Sequence, residues 1–63
     1  MYKLNNNEIS EARAIELIKD LAMFPFDHAD TEISIEERRE KYFGKLTKMG
    51  ELKLSESLVL TYE

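Results

Sequence analysis

This sequence predicts an all-α fold, on three observations. Pro25 interrupts the chain between Phe24 and Phe26. The segments on either side of that break carry apolar residues at helical spacing. A serine–glutamate cap and a glycine frame the second of them. Proline lacks an N–H and pushes the residue before it out of helical backbone, so a helix arriving from the N-terminal side ends near Phe24. The expected architecture is an antiparallel helical hairpin, about residues 7–24 and 34–49, plus a short C-terminal helix at about 55–62. All of it lies in a single small helical domain spanning 1–63.

In the first segment, Asn5, Asn6 and Asn7 read as a turn followed by a helix cap, and Glu8 and Glu11 suit the positive end of a helix dipole. At about 100° per residue, Ala14, Ile15, Leu17, Ile18, Leu21, Ala22 and Phe24 share one broad face. That face is wider than the stripe of roughly 100° a single packing partner needs. It has room for two neighbours, the second helix and either a partner or the C-terminal segment. Residues 26–33 form a polar connector with no sustained period.

Ser34 and Glu37 match a capping box at the start of the second helix. Its apolar line is Ile35, Tyr42, Leu46 and Met49, with Phe43 on the flank, and Gly50 suits a left-handed C-cap. Gly44, inside this helix, costs about 1 kcal/mol relative to alanine. It reads either as a close-approach point for another helix or as a neutral surface glycine. In the last stretch, Leu54, Leu58 and Tyr62 fit a helical line that Ser55 can cap, whereas Leu52, Leu54, Leu58, Leu60 and Tyr62 also alternate as a strand would. Tyr2 and Leu4 alternate too. The alternative fold is therefore α+β, with a small ribbon made from the two termini, although an isolated pair of strands is marginal.

At 63 residues a chain buries only about 60 % of the surface it exposes when unfolded, and small domains often need a supplement. Cysteine is absent, which excludes disulfides and thiolate metal sites; self-association as a homodimer is the expected supplement. The N-terminus has no apolar run of signal-peptide length, and no segment approaches a membrane span, so the cytoplasm is the expected compartment and no membrane is expected as a partner.

Charge is segregated along the chain. Residues 1–33 carry a net −4, residues 34–49 a net +2 and residues 50–63 a net −2. Arg38, Arg39, Lys41, Lys45 and Lys48 supply the basic segment and are the candidates for nucleic-acid contact. Four cations along one helix side suit a salt-sensitive, sequence-blind phosphate contact. Against it stand Glu36, Glu37 and Glu40 on the same helix, the overall charge of −4 and the long 25–33 connector, a poor match to the tight turn of a helix-turn-helix. Acidic Glu8, Glu11, Glu16 and Asp20 suit an antitoxin or inhibitor that occupies a basic site.

Catalysis is not expected. Ser10, Ser34, Ser55 and Ser57 have only His28 as a conceivable base, and no phosphate-cradling glycine loop is present. Asp27, His28, Asp30 and Glu32 match neither zinc nor EF-hand spacing, so no metal or cofactor is expected. The sequence thus reads as a non-enzymatic protein-interaction or regulatory module. Its expected interface comprises Leu17, Leu21, Phe24, Tyr42, Phe43 and Met49, and its partner is a protein, either a host protein or a second copy. Small acidic accessory proteins of phages and other mobile elements are its analogues in size and composition.

Overall fold

Asn5 and Asn6 have φ angles of 49° and 70° in the computed structural model, which describes residues 1–63. Positive φ at both central positions is what a two-residue type I′ hairpin demands, and asparagine is among the few side chains that tolerate it. These residues therefore turn a hairpin and do not lead into a helix. Strand β1 (Tyr2–Leu4) pairs antiparallel with β2 (Asn7–Ile9), Leu4 opposite Asn7. Helix α1 starts later than expected, at Glu11, and runs to Met23. Ser10 is its cap, with a hydroxyl that accepts from the Arg13 N–H at 3.1 Å.

The second helix, α2, spans Ile35–Met49. The Ser34 hydroxyl accepts from the Glu37 N–H at 3.2 Å, and Gly50 closes the helix at φ 75°. Between the helices, the connector holds a 3-10 helix at His28–Glu32, capped by Asp27, whose carboxylate accepts from the Ala29 N–H.

The C-terminal helix expected at 55–62 is not there. Glu51–Lys53 forms β3 and Val59–Tyr62 forms β4, paired antiparallel with Leu52 opposite Leu60. Ser55 caps no helix; it lies in the loop of this hairpin, where its hydroxyl accepts from the Ser57 N–H at 3.3 Å. Strand β4 also pairs with β1, Tyr2 opposite Tyr62 and Leu4 opposite Leu60. The result is one antiparallel sheet of order β2-β1-β4-β3. The fold is α+β, and the all-α helical hairpin is overturned in favour of the ribbon from the two termini. The ribbon escapes the marginality of two lone strands because each of its members has its own hairpin partner, and the helices cover one face.

Register sorts the side chains. Tyr2, Leu4, Ile9, Leu52 and Leu60 fall on one face of the sheet, and Lys3, Glu8, Glu51, Lys53 and Thr61 on the other. From the first set, Leu52 and Leu60 join Ala14, Ile18, Leu21 and Ala22 of α1 and Tyr42 and Leu46 of α2 in one core, with Tyr2 and Ile9 packed against it; Ile18, Leu46 and Leu60 are its largest fully buried side chains. Apart from Val59, opposite Lys53, that second face is polar, as the solvent face of a half-covered antiparallel sheet should be. Asn5 stitches the two hairpins together. Its amide donates to the Ser57 carbonyl at 2.8 Å and its side-chain oxygen accepts from the Val59 N–H at 2.9 Å. No helix is long and apolar enough to cross a membrane.

Candidate functional site

Helix α1 has no basic residue in its last turn to meet the unpaired carbonyls there. Arg38, one turn into α2, supplies that cation. Its guanidinium donates to the carbonyls of Ala22 at 2.8 Å, Asp30 at 2.6 Å and Thr31 at 3.2 Å. One planar fork thus ties the end of α1, the 3-10 helix and the start of α2 together, a geometry that suits arginine and not lysine. Three of the five guanidinium N–H donors of Arg38 are thus committed to carbonyls of the fold.

Asp30 is the second anchor. It is only 4 % exposed, and its carboxylate accepts hydrogen bonds from the Lys41 ammonium and, at 2.8 Å, from the Tyr42 hydroxyl. Burial pushes its acidity down, but the hydrogen bonds from Lys41 and Tyr42 and the charges of Lys41 and Lys45 outweigh that, and the carboxyl titrates below its usual range. Tyr42 responds in the opposite sense. Burial and the Asp30 carboxylate hold its phenol well above the ordinary range.

Around these anchors lie two surface features. One is an apolar corner at the helix break. Phe24 is 79 % exposed, Met23 58 %, Phe26 46 % and Ile35, in the first turn of α2, 43 %. The other is a cavity of about 430 Å³ between the 3-10 helix, α2 and β3. Leu21, Leu52 and Tyr42 are its apolar lining, Phe26 forms a wall, and Asp27, His28, Asp30, Lys41, Lys45 and Lys53 bring the charge. The Lys53 ammonium sits 5.6 Å from the centre of the Phe26 ring, within cation–π range.

The residues singled out from the sequence are distributed as follows. Leu21 and Tyr42 belong to the core and contact the protein's own side chains; Leu17 and Phe43 are half-buried; Phe24 and Met49 are exposed. The broad face of α1 is sealed only along Ala14, Ile18, Leu21 and Ala22, with Ile15 and Leu17 half-buried on its flanks. Of the basic set, Arg38 binds carbonyls and Lys41 is paired with Asp30, which leaves Lys45 and Lys48 exposed and Arg39 half-buried. The acidic side of α1 and the basic side of α2 form no ion pair with each other; the three pairs present are Lys3–Glu63, Arg13–Glu16 and Lys41–Asp30. Asp30 and Lys53 were not singled out as site residues. One carboxylate among the three of a polar connector gives no sign of burial, and Lys53 reaches the cavity only because β3 exists.

Searches against protein-family models, curated proteins and solved structures return no match for this chain.

Proposed function

We propose that this chain is a small non-enzymatic protein-interaction module that binds through the apolar corner at Met23, Phe24, Phe26 and Ile35. A role as an accessory or regulatory protein of the phage or mobile-element kind, working in the cytoplasm, accords with its size and composition. The observation that carries the reading is Phe24. A phenylalanine left 79 % exposed at a corner pinned by the Arg38 bridge loses contact with water only when a partner covers it. Aromatic anchors on rigid supports are what interface hot spots are made of. A second copy of the chain is the first partner to test, because a domain this small gains most from added buried surface.

Sedimentation velocity across a wide range of protein concentration is the test. A dimer that dissociates on dilution, and that is lost in Phe24→Glu while the fold is retained, is the expected result. If the wild-type chain stays a particle of 7.4 kDa throughout, self-association is refuted. Crosslinking from a photoreactive residue at position 24 in the native host then decides whether another protein takes the corner. Absence of any crosslinked protein there overturns the module reading itself.

Nucleic-acid binding has lost much of its support, since Arg38 and Lys41 are engaged within the chain. Binding of labelled DNA that weakens with salt and vanishes on charge reversal of Lys45 and Lys48 would restore it.

A further inference from the structure

The cavity beside the apolar corner has chemistry that a protein–protein contact does not require. Lys45 and Lys53 both line it, and neither makes an ion pair or a hydrogen bond within the chain. Of the other charges, only Asp27 lacks an ionic partner. Lys41 is neutralised by Asp30, Asp30 also accepts from the Tyr42 hydroxyl, and the Asp27 carboxylate caps the 3-10 helix through the Ala29 N–H. Lys45 and Lys53, the latter over the Phe26 ring but without an anionic partner, therefore line a space with an apolar floor, Leu21 and Leu52, and an aromatic wall, Phe26. At about 430 Å³ the cavity falls within the size range of small-molecule sites.

We propose that this cavity binds a small organic anion with a flat apolar body, of the aryl carboxylate or aryl phosphate class. The anionic group sits between the Lys45 and Lys53 ammonium groups, and the ring lies against Phe26 and Leu52. Solvent-exposed cations without an anionic partner beside an apolar surface favour such a ligand over a neutral one, because the ligand's charge stays near water while its ring leaves water. The site shares Phe26 with the partner-binding corner but draws its cations from Lys45 and Lys53, outside that corner; a free metabolite or an acidic aromatic group on a larger molecule can present the same chemistry.

Amide shifts of the isotope-labelled full chain, titrated with phenyl phosphate and with benzoate, test the assignment. The controls are inorganic phosphate, acetate and benzyl alcohol. Saturable shifts confined to residues around Phe26, Lys45 and Lys53 are expected for the aryl anions, with dissociation constants tighter than about 10 mM. Inorganic phosphate, acetate and benzyl alcohol should each bind about tenfold more weakly than the aryl anions. The double variant K45Q/K53Q should weaken aryl-anion binding about tenfold, the scale of two exposed charge contacts. K48Q, outside the cavity, should leave it unchanged. Both altered lysines are solvent-exposed, so the spectrum of the double variant reports directly whether the fold persists. No saturable shift, equal binding of benzyl alcohol, or undiminished binding by folded K45Q/K53Q would overturn the proposal. If the aryl anions bind as expected, the same titration with a short peptide ending in Phe-Glu tells a site open to larger molecules from one restricted to free small anions.

Discussion

Asp30 is a carboxylate removed from water, and its partners decide what it contributes. Because its folded acidity is stronger than that of an unfolded aspartate, its stabilising effect is fully present above about pH 4 and is lost as pH falls below that value. Asp30→Asn cannot ion-pair with Lys41. We expect it to cost about 2–3 kcal/mol near neutral pH, the scale of hydrogen bonds to a charged group. The gap to the wild type should narrow as pH drops through the acid range. Urea unfolding at several pH values checks this, and a gap that stays constant would remove Asp30 from its assigned role. Tyr42 adds the alkaline counterpart. Its phenol is held protonated in the fold, so its contribution is present below about pH 10 and declines above it.

Arg38 gives the sharpest contrast between a residue that binds outward and one that holds the fold. With three carbonyl acceptors, two of them otherwise short of partners at a helix end and a turn, Arg38→Ala should cost about 2–4 kcal/mol. Arg38→Lys should recover only part of that, since an ammonium cannot reproduce the fork. Lys48→Ala, an exposed position on the same helix, should stay within about 0.5 kcal/mol of the wild type. Equal, small effects at both positions in thermal unfolding would return Arg38 to the pool of free cations.

At the scale of elements, the two glycines of the α2 region make opposite predictions. A methyl group added at Gly44 meets nothing within 4 Å, and the residue sits inside a helix. Gly44→Ala should therefore stabilise by up to about 1 kcal/mol. Gly50 has φ 75°, and its added methyl would lie 3.3 Å from the Tyr62 carbonyl oxygen. Gly50→Ala should destabilise by about 1–2 kcal/mol, from the left-handed backbone alone. Denaturation midpoints of the two variants read both signs at once. If Gly44→Ala keeps its stability but abolishes self-association, this glycine faces the partner helix after all.

The helices were legible in the sequence because their signals are local. Ser34 with Glu37, Gly50, and the Pro25 break each act within a few residues of where they stand, and the structure puts α2 one residue inside its predicted start. The sheet was only half legible. The run from Leu52 to Tyr62 satisfies both periods, and nothing within it chooses between them. Asn5-Asn6 is a type I′ signal that equally resembles a helix cap, and the true cap, Ser10, was passed over.

At the scale of the whole molecule, the two chain ends pair in the middle of the sheet, with Tyr2 opposite Tyr62 and their rings 4.7 Å apart. β1 is thus a central strand although it is the first element of the chain. Removing residues 1–4 takes away the shared neighbour of β2 and β4 and bares the edge beside fully buried Leu60. We expect that variant to lose cooperative unfolding and amide-shift dispersion, in contrast to Lys3→Ala, which removes only a surface pair with Glu63 and should cost no more than about 1 kcal/mol. A folded truncated chain would show that the helices and the β3–β4 hairpin suffice, contrary to the topology.

By itself, the sequence determined what is written in neighbours: two amphipathic helices, the caps of the second, and the break between them. Tertiary structure alone decided that the C-terminal run is a strand, that Arg38 and Lys41 are engaged within the chain, and that Lys45 and Lys53 share one cavity. The physical reason is distance along the chain. A helix closes its hydrogen bonds four residues away, whereas a strand closes them with whatever partner the fold delivers, here almost sixty residues off, and a charge is free or committed only once that partner has arrived.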